Sequence, residues 1–281
     1  MALLDSAVRV TPADADPLRP PHVDFLGLPF CQLSPAQTLD LILSRRGAPY
    51  RYVVTPNAYH VVTAHDEPGR LLPIYRDAWL SLCDSRIVRA LAGLERRALP
   101  LVTGSDLVAA LLSTLNGIEH SSKSVSSESA SSKPPRLLIV GPQRTVGRAL
   151  HAAYPDLRFS ILPAPAGLAK YSQLRHAIAR ACLDLDWDIL LLCVGCPAQE
   201  LIARQLSQLG RTEGVALCVG ASIDFLTSPG SRAPRWVQRL HLEWAYRLMQ
   251  EPRRLWRRYL VESPKIIRIF MATRGARAVS S

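Results

Sequence analysis

Three apolar runs in the second half of the chain set the tightest limit on its fold. RLLIVG at 136–141, DILLLCVG at 188–195 and VALCVG at 215–220 each carry at least four consecutive apolar residues and each closes on glycine. Uninterrupted runs of this kind read as strands buried on both faces, since a half-solvated strand would alternate. Helix-length segments separate them, with a further short strand near 158–162 and a helix from about 172. Strand alternating with helix predicts βαβ units and a mainly parallel, Rossmann-like α/β sheet flanked by helices. The first half fits the same scheme. SPAQTLDLILSRR places Ser34 at a helix N-cap, Pro35 at the first helical position and Gln37 three residues after the cap, the signature of a capping box. RYVVT reads as a strand feeding a helix that begins near Asn57, WLSLC as a second strand ending at Asp84, and LVTGSDLVAALLSTL as a loop entering a helix.

Flanking this α/β region, taken as 25–228, two segments differ in kind. Residues 1–24 are rich in Pro, Asp and Ala and read as a mobile leader; MALLDSAVRV lacks the basic start of a secretory signal. Residues 229–281 read as a basic helical appendage. From Arg232 to Arg277 twelve Lys or Arg stand against three Glu, a local excess of +9 in a chain whose net charge is +11, and three of the five tryptophans lie there. Two helices broken at Pro252 would carry Trp236, Leu240, Trp244 and Leu248 on one stripe. Basic residues beside interfacial aromatics suit an anionic membrane surface, while a charged helix packed on the domain is the plainer alternative. Within the α/β region, residues 121–135 hold eight serines and read as a Ser-rich loop or linker. No stretch reaches 18 uncharged apolar residues, and runs such as Leu107–Ile118 are too short to span a bilayer, so membrane association is expected to be peripheral. Six cysteines, mostly inside apolar runs, suit a reducing cytoplasm rather than a disulfide framework.

The strand ends carry the candidate chemistry. Ligands of open α/β sheets bind at the carboxyl ends of strands, where Gly141, Gly195 and Gly220 would let backbone N–H groups approach a phosphate. Tight strand-to-helix turns alone would also account for them. Neither GxGxxG nor a P-loop occurs, so ordinary dinucleotide and nucleoside triphosphate sites are not expected. Asp84 is a general base or a helix cap; Asn57, Thr103, Ser105 and Asp106 have the same ambiguity. Metal signals are weak. Cys193 and Cys196 form a lone CxxC, DLDWD at 184–188 precedes a strand instead of following one, and His60 and His65 are five residues apart, which puts them on different helix faces. No metal or other cofactor is expected.

Taken in order, TPNAYHV (55–61), LCDS (82–85), VTGSDL (102–107), VGCPAQE (194–200), VGASIDF (219–225) and SRAPRWVQRLHLEWAYRLMQEPRRLWRRYL from 231 resemble the WecG/TagA/CpsF glycosyltransferases of bacterial cell-surface polysaccharide synthesis. The resemblance implies an inverting enzyme that moves a sugar from a UDP-sugar onto a sugar carried by a polyprenyl diphosphate. It implies peripheral attachment at the cytoplasmic face of the inner membrane, with no nucleic-acid partner. Matched by motif, Asp84 takes the place of the catalytic base, with Asn57 and Thr55 beside it. Thr103, Gly104, Ser105, Gly195, Gln199, Glu200, Gly220 and Asp224 line the substrate pocket. Arg232, Arg235, Arg239 and Arg247 face the UDP diphosphate or lipid headgroups. An arginine fork matching phosphate oxygens would serve the leaving group without a metal.

The chain departs from the family pattern at Ser85, where Gly is usual after the Asp, at Leu101 in place of Arg, at Ala198 in place of Lys, and around Gly167, where a Gly-Tyr pair is missing. These changes gather near the expected sugar pocket, so the donor is expected to be a hexose, with glucose favoured over an N-acetylmannosamine-type sugar, in an exopolysaccharide branch. Three other readings remain open from sequence. They are a non-catalytic nucleotide-sugar-binding partner of another transferase, a Rossmann-type oxidoreductase, and a nucleic-acid-binding protein drawing on the +9 tail.

Overall fold

The computed structural model describes residues 19–45, 47–124, 135–141, 144–227 and 243–279. The chain begins with a hairpin, β1 (His22–Phe25) and β2 (Leu28–Cys31), paired antiparallel. Its Leu26–Gly27 turn has positive φ at both residues, the geometry that matches the twist of two-residue hairpins. The last three residues of the expected leader thus sit in a paired strand. Helix α1 (Pro35–Leu43) starts on the expected capping box: Ser34 Oγ accepts from Gln37 N, and Gln37 Oε1 accepts from Ser34 N.

Six parallel strands follow among the described residues: β3 (Arg51–Val54), β4 (Leu80–Ser81), β5 (Leu137–Gly141), β6 (Phe159–Pro163), β7 (Ile189–Leu192) and β8 (Val215–Cys218), in the order β4-β3-β8-β7-β5-β6. They carry α2 (Ala58–Asp66), α3 (Pro68–Asp77), α4 (Arg86–Leu94), α5 (Gly104–Ser124), α6 (Arg144–Ala153), α7 (Ser172–Leu183), α8 (Ala198–Gln208) and α9 (Ser222–Thr227). The expected parallel α/β sheet with helices on both faces is therefore present. The strand WLSLC is shorter than its pattern, since only Leu80–Ser81 pair as a strand. The ladder nevertheless continues: Leu82 N donates to Val54 O, Asp84 N to Pro56 O and Val102 N to Cys83 O.

Strand alternation divides the interior into two cores. Tyr52, Val54, Leu138, Val140, Leu190, Leu192, Ala216 and Cys218 face α2, α3, α7 and α8, whereas Val53, Leu137, Ile139, Ile189, Leu191, Val215 and Leu217 face α1, α5, α6 and α9. Strands β3, β4, β5, β7 and β8 are buried on both sides, as their continuous apolar sequences require, while β6 at the sheet edge is only partly covered. Helix α5 runs four residues into the serine-rich stretch expected to be a loop or linker over 121–135; residues 125–134 lie outside the described residues.

The C-terminal segment forms α10 (Glu243–Gln250), α11 (Pro252–Trp256), a π-helical stretch (Arg257–Glu262) and α12 (Lys265–Val279). The break at Pro252 was legible; α12 was not. Ile266 and Phe270 of α12 are buried in the same core as α2, and the Phe270 ring lies 6.2 Å from Phe25 of the hairpin. Part of the appendage thus belongs to the body of the domain. No helix among the described residues is long and apolar enough to cross a membrane.

Candidate functional site

β3 and β8 are neighbours, yet the chain leaves β3 toward β4 on one side and reaches β8 from β7 on the other. Such a switch point opens a crevice beyond the carboxyl ends of the strands. Thr55 and Asn57 follow β3, Asp84 follows β4, and Gly195 with Gln199 follows β7, while Gly220 follows β8. In-register pairing of Val54 with Cys218 and of Leu192 with Cys218 brings these turns to one edge. The hydrogen bond from Asp84 N to Pro56 O holds the Asp84 backbone against the residue between Thr55 and Asn57.

The N-terminus of α5 closes this edge. Thr103 Oγ1 accepts from Asp106 N at 3.1 Å and donates to Asp106 Oδ2 at 2.8 Å, so Thr103 is a helix cap, one of the alternatives open from sequence. A Cβ on Gly104 would stand 3.2 Å from Ser222 Oγ, 3.4 Å from Val219 O and 3.5 Å from Thr55 Oγ1, so the start of α5 lies in close contact with the turns after β3 and β8, and a side chain there would press on Ser222. Thr55 Oγ1 donates to Cys218 O at 2.8 Å and Ser222 Oγ to Val219 O at 2.6 Å, which fixes both hydroxyls. Ser222, buried at the start of α9, was not singled out from sequence. Asp84 is half-buried and does not cap α4; the neighbouring Ser85 does, accepting from Val88 N. Ser85, where the family usually has glycine, thus has a structural use. Asp224 is exposed on α9.

Behind the edge runs a buried polar chain. Gly220 N donates to Gln199 Oε1 at 2.8 Å, and Gln199 Nε2 donates to Glu200 Oε1 at 2.8 Å. Glu200 Oε1 lies 3.4 Å from His60 Nε2, and His60 Nδ1 lies 2.7 Å from Asn57 Oδ1. Gln199 and Glu200 are 1% and 0% exposed and His60 is 5% exposed, so these residues form the floor beneath the crevice. Asn57 caps α2, accepting from Tyr59 N and His60 N. Sequence reasoning weighed His60 only as a metal ligand with His65. Its place follows from contact with Glu200, far away in the chain, which no local pattern encodes.

His60, Cys196 and Glu200 each offer one potential ligand atom, all within 4.8 Å of one another. Burial and the neighbouring Glu200 push the Cys196 thiol well above its ordinary range, and burial does the same to Cys193. Of the tail arginines singled out from sequence, Arg232, Arg235 and Arg239 lie outside the described residues, and Arg247 lies on α10 with its side chain outside them. Arg258, not singled out, stacks its guanidinium 4.7 Å from the centre of the Tyr59 ring, next to His60 in the first turn of α2. A tail cation is thereby delivered to the rim of the crevice.

The Glycosyl transferase WecG/TagA/CpsF family matches residues 23–279. The chain belongs to this family. Among curated proteins it is 29% identical over 136 residues, 47% of this chain and 50% of the relative, to an N-acetylglucosaminyldiphosphoundecaprenol N-acetyl-beta-D-mannosaminyltransferase of Bacillus subtilis (strain 168). It is 38% identical over 73 residues, 26% of this chain and 28% of the relative, to a protein of the same name from Bacillus spizizenii (strain ATCC 23059 / NRRL B-14472 / W23). The chain thus spans half or less of the length of these two relatives.

Proposed function

We propose that this protein is an inverting glycosyltransferase that moves a hexose from a UDP-sugar onto a sugar carried by a polyprenyl diphosphate. The observation that carries the reading is the meeting of Asp84, Thr55, Asn57, the α5 N-terminus and the Gly220 turn at one sheet edge, in a chain matched to the family over nearly its whole length. The Asp84 carboxylate takes the proton of the acceptor hydroxyl as its oxygen bonds to the anomeric carbon. The bond from that carbon to the UDP oxygen breaks on the opposite face, and UDP departs with the electron pair. Backbone N–H groups at the α5 start and the glycine turns, with Arg258 and the tail arginines, stabilise the charge gathering on the diphosphate. Because the chain departs from the family pattern at Ser85, Leu101, Ala198 and around Gly167, the donor we favour is glucose, over the N-acetylmannosamine-type sugar in the names of the two relatives.

The same reading places the protein at the cytoplasmic face of the inner membrane, where the acceptor lipid resides. Met249, Trp256, Leu260 and Met271 are exposed on the tail together with Arg253, Arg257 and Arg268, a combination suited to an anionic lipid surface. The deciding experiment supplies labelled UDP-glucose, UDP-N-acetylglucosamine and UDP-N-acetylmannosamine with synthetic polyprenyl-diphosphate-glucose or polyprenyl-diphosphate-N-acetylglucosamine. Label entering the lipid phase from one donor supports the reading and names the sugar. UDP binding without transfer from any donor to either acceptor counts against it.

A further inference from the structure

His60 has no part in the chemistry above, yet it touches Asn57 directly, and a role for it rests on the glycosyl-transfer reading. Asn57 Oδ1 accepts from the backbone N–H groups of Tyr59 (3.0 Å) and His60 (3.4 Å). Two donors converge there, so the oxygen of the amide occupies this place and not its amino group. His60 Nδ1 lies 2.7 Å from the same oxygen. Two acceptors do not approach that closely without a proton between them, so Nδ1 carries hydrogen and donates to Asn57. The Asn57 N–H, 3.3 Å from Nδ1, is the longer and weaker contact.

On the other side of the ring, Nε2 faces Glu200 Oε1 at 3.4 Å with both side chains buried. Glu200 is itself held by Gln199, whose oxygen is held by Gly220 N. Neither Nε2 nor Glu200 Oε2 has a hydrogen-bond partner among the described residues, so the 3.4 Å contact with Oε1 acts by packing: the buried carboxylate backs the ring and fixes its orientation toward Asn57. With Oδ1 engaged by three donors, the amino group is the free end of half-buried Asn57.

The geometry points to His60 as a positioning residue: held by Glu200, it locks the Asn57 amide with its oxygen inward, so that the amino group meets the substrate as a donor to a sugar or diphosphate oxygen. Glu200 then acts through His60. Small misplacements of a group that orients substrate lower the rate by about 10- to 100-fold.

Two near-isosteric variants separate this role from space filling. His60→Asn returns an N–H close to the Nδ1 position, whereas His60→Gln, the larger side chain, returns a donor close to Nε2. The expected result is a kcat about tenfold higher for His60→Asn, with donor KM values within about twofold of each other. Equal values, or the reverse order, overturn the proposal. In an Asn57→Ser background, where the cap is kept and the amide lost, the difference between the two should shrink to within about twofold. A difference that persists at full size also overturns it.

A readout independent of turnover keeps this test apart from the parent reading. In 15N-histidine NMR of the wild type, with His60 assigned from the variants, a protonated Nδ1 supports the proposal and an unprotonated one refutes it, whether or not sugar is transferred. The competing use of Nε2 and Glu200 is to hold a metal ion, for which Cys196 Sγ would be a third ligand. One zinc per chain in protein purified without chelators, lost on Cys196→Ser, would make a metal and not direct contact with Glu200 the holder of the ring, and so overturn the part given to Glu200; zinc-free protein agrees with the proposal.

Discussion

Two neighbouring stretches of the sheet's carboxyl edge, the end of β5 and the ends of β7 and β8, are built from the same kind of sequence and carry different loads. At the β5 end, Gly141 has φ +123°, and a Cβ there would lie 2.8 Å from Cys193 O. Its glycine admits the neighbouring strand's backbone. At the β7–β8 end, Gly195 has φ +78° with nothing within 4 Å of a Cβ, and Gly220 gives its N–H to Gln199. There the glycines border open space and the polar floor. An apolar strand ending in glycine therefore marks a turn in an α/β sheet without saying whether packing or ligand made the glycine necessary. The neighbours decide, and they come from distant parts of the chain.

The largest effect belongs to the loaded end. Asp84→Asn should lower sugar transfer by about 10²- to 10⁴-fold, the usual contribution of a positioned base, with UDP affinity retained; label transfer and UDP titration measure the two. Full activity in this variant would remove Asp84 from the chemistry and break the contrast between the edges.

Next comes the packing end. Gly141→Ala meets both a left-handed backbone and a contact with Cys193 O and should cost about 3 kcal/mol of stability, read as a lower urea midpoint. Gly195→Ala meets only the backbone term, about 1 kcal/mol, but places a methyl group in the crevice and should raise the donor KM. Equal stability losses in the two variants would dissolve the distinction drawn between these glycines.

How much of this was legible in the sequence follows the range of the interactions. Ser34 and Gln37 announce α1 because a capping box is closed within four residues. The strands announce themselves because double burial demands unbroken apolar runs. Asp84 and Asn57 stand at strand ends, where the fold class directs attention. By contrast, His60 owes its place to Glu200, Arg258 to Tyr59, and Phe270 to Phe25. Each of these pairs joins residues more than 100 positions apart, and neither member carries a local sign of the other. The tail left two readings open. Its charge pattern suits a membrane-facing appendage or a charged helix packed on the domain, and Ile266 and Phe270 join the core around α2.

That dual character ranks the tail predictions below those of the edge. Phe270→Ala should cost about 3 kcal/mol, so deleting the tail would confuse unfolding with loss of membrane contact. Replacement of Arg253 and Arg257, both exposed, by serine avoids this. At about 1 kcal/mol per basic residue near an anionic surface, the pair should weaken sedimentation with phosphatidylserine vesicles by about 30-fold at low salt, and leave the urea midpoint unchanged. Vesicle binding that survives the double replacement would assign that surface to another purpose.

The smallest effect concerns the thiols. Burial raises Cys83 to about 11 and Cys182 to about 12, because the thiolate form is disfavoured away from water. The sign follows directly: at neutral pH and below, the thiols are protonated in both folded and unfolded chains. Between about 9 and 11 the unfolded chain loses protons that the folded one keeps, so the unfolded state gains and stability falls with rising pH. Iodoacetamide at pH 8 should accordingly label these two cysteines far more slowly than the same residues in urea. Rapid labelling of Cys182 in the folded protein would show that α7 opens readily, and would place the weak point of the domain on the β7 side of the sheet instead of in the tail.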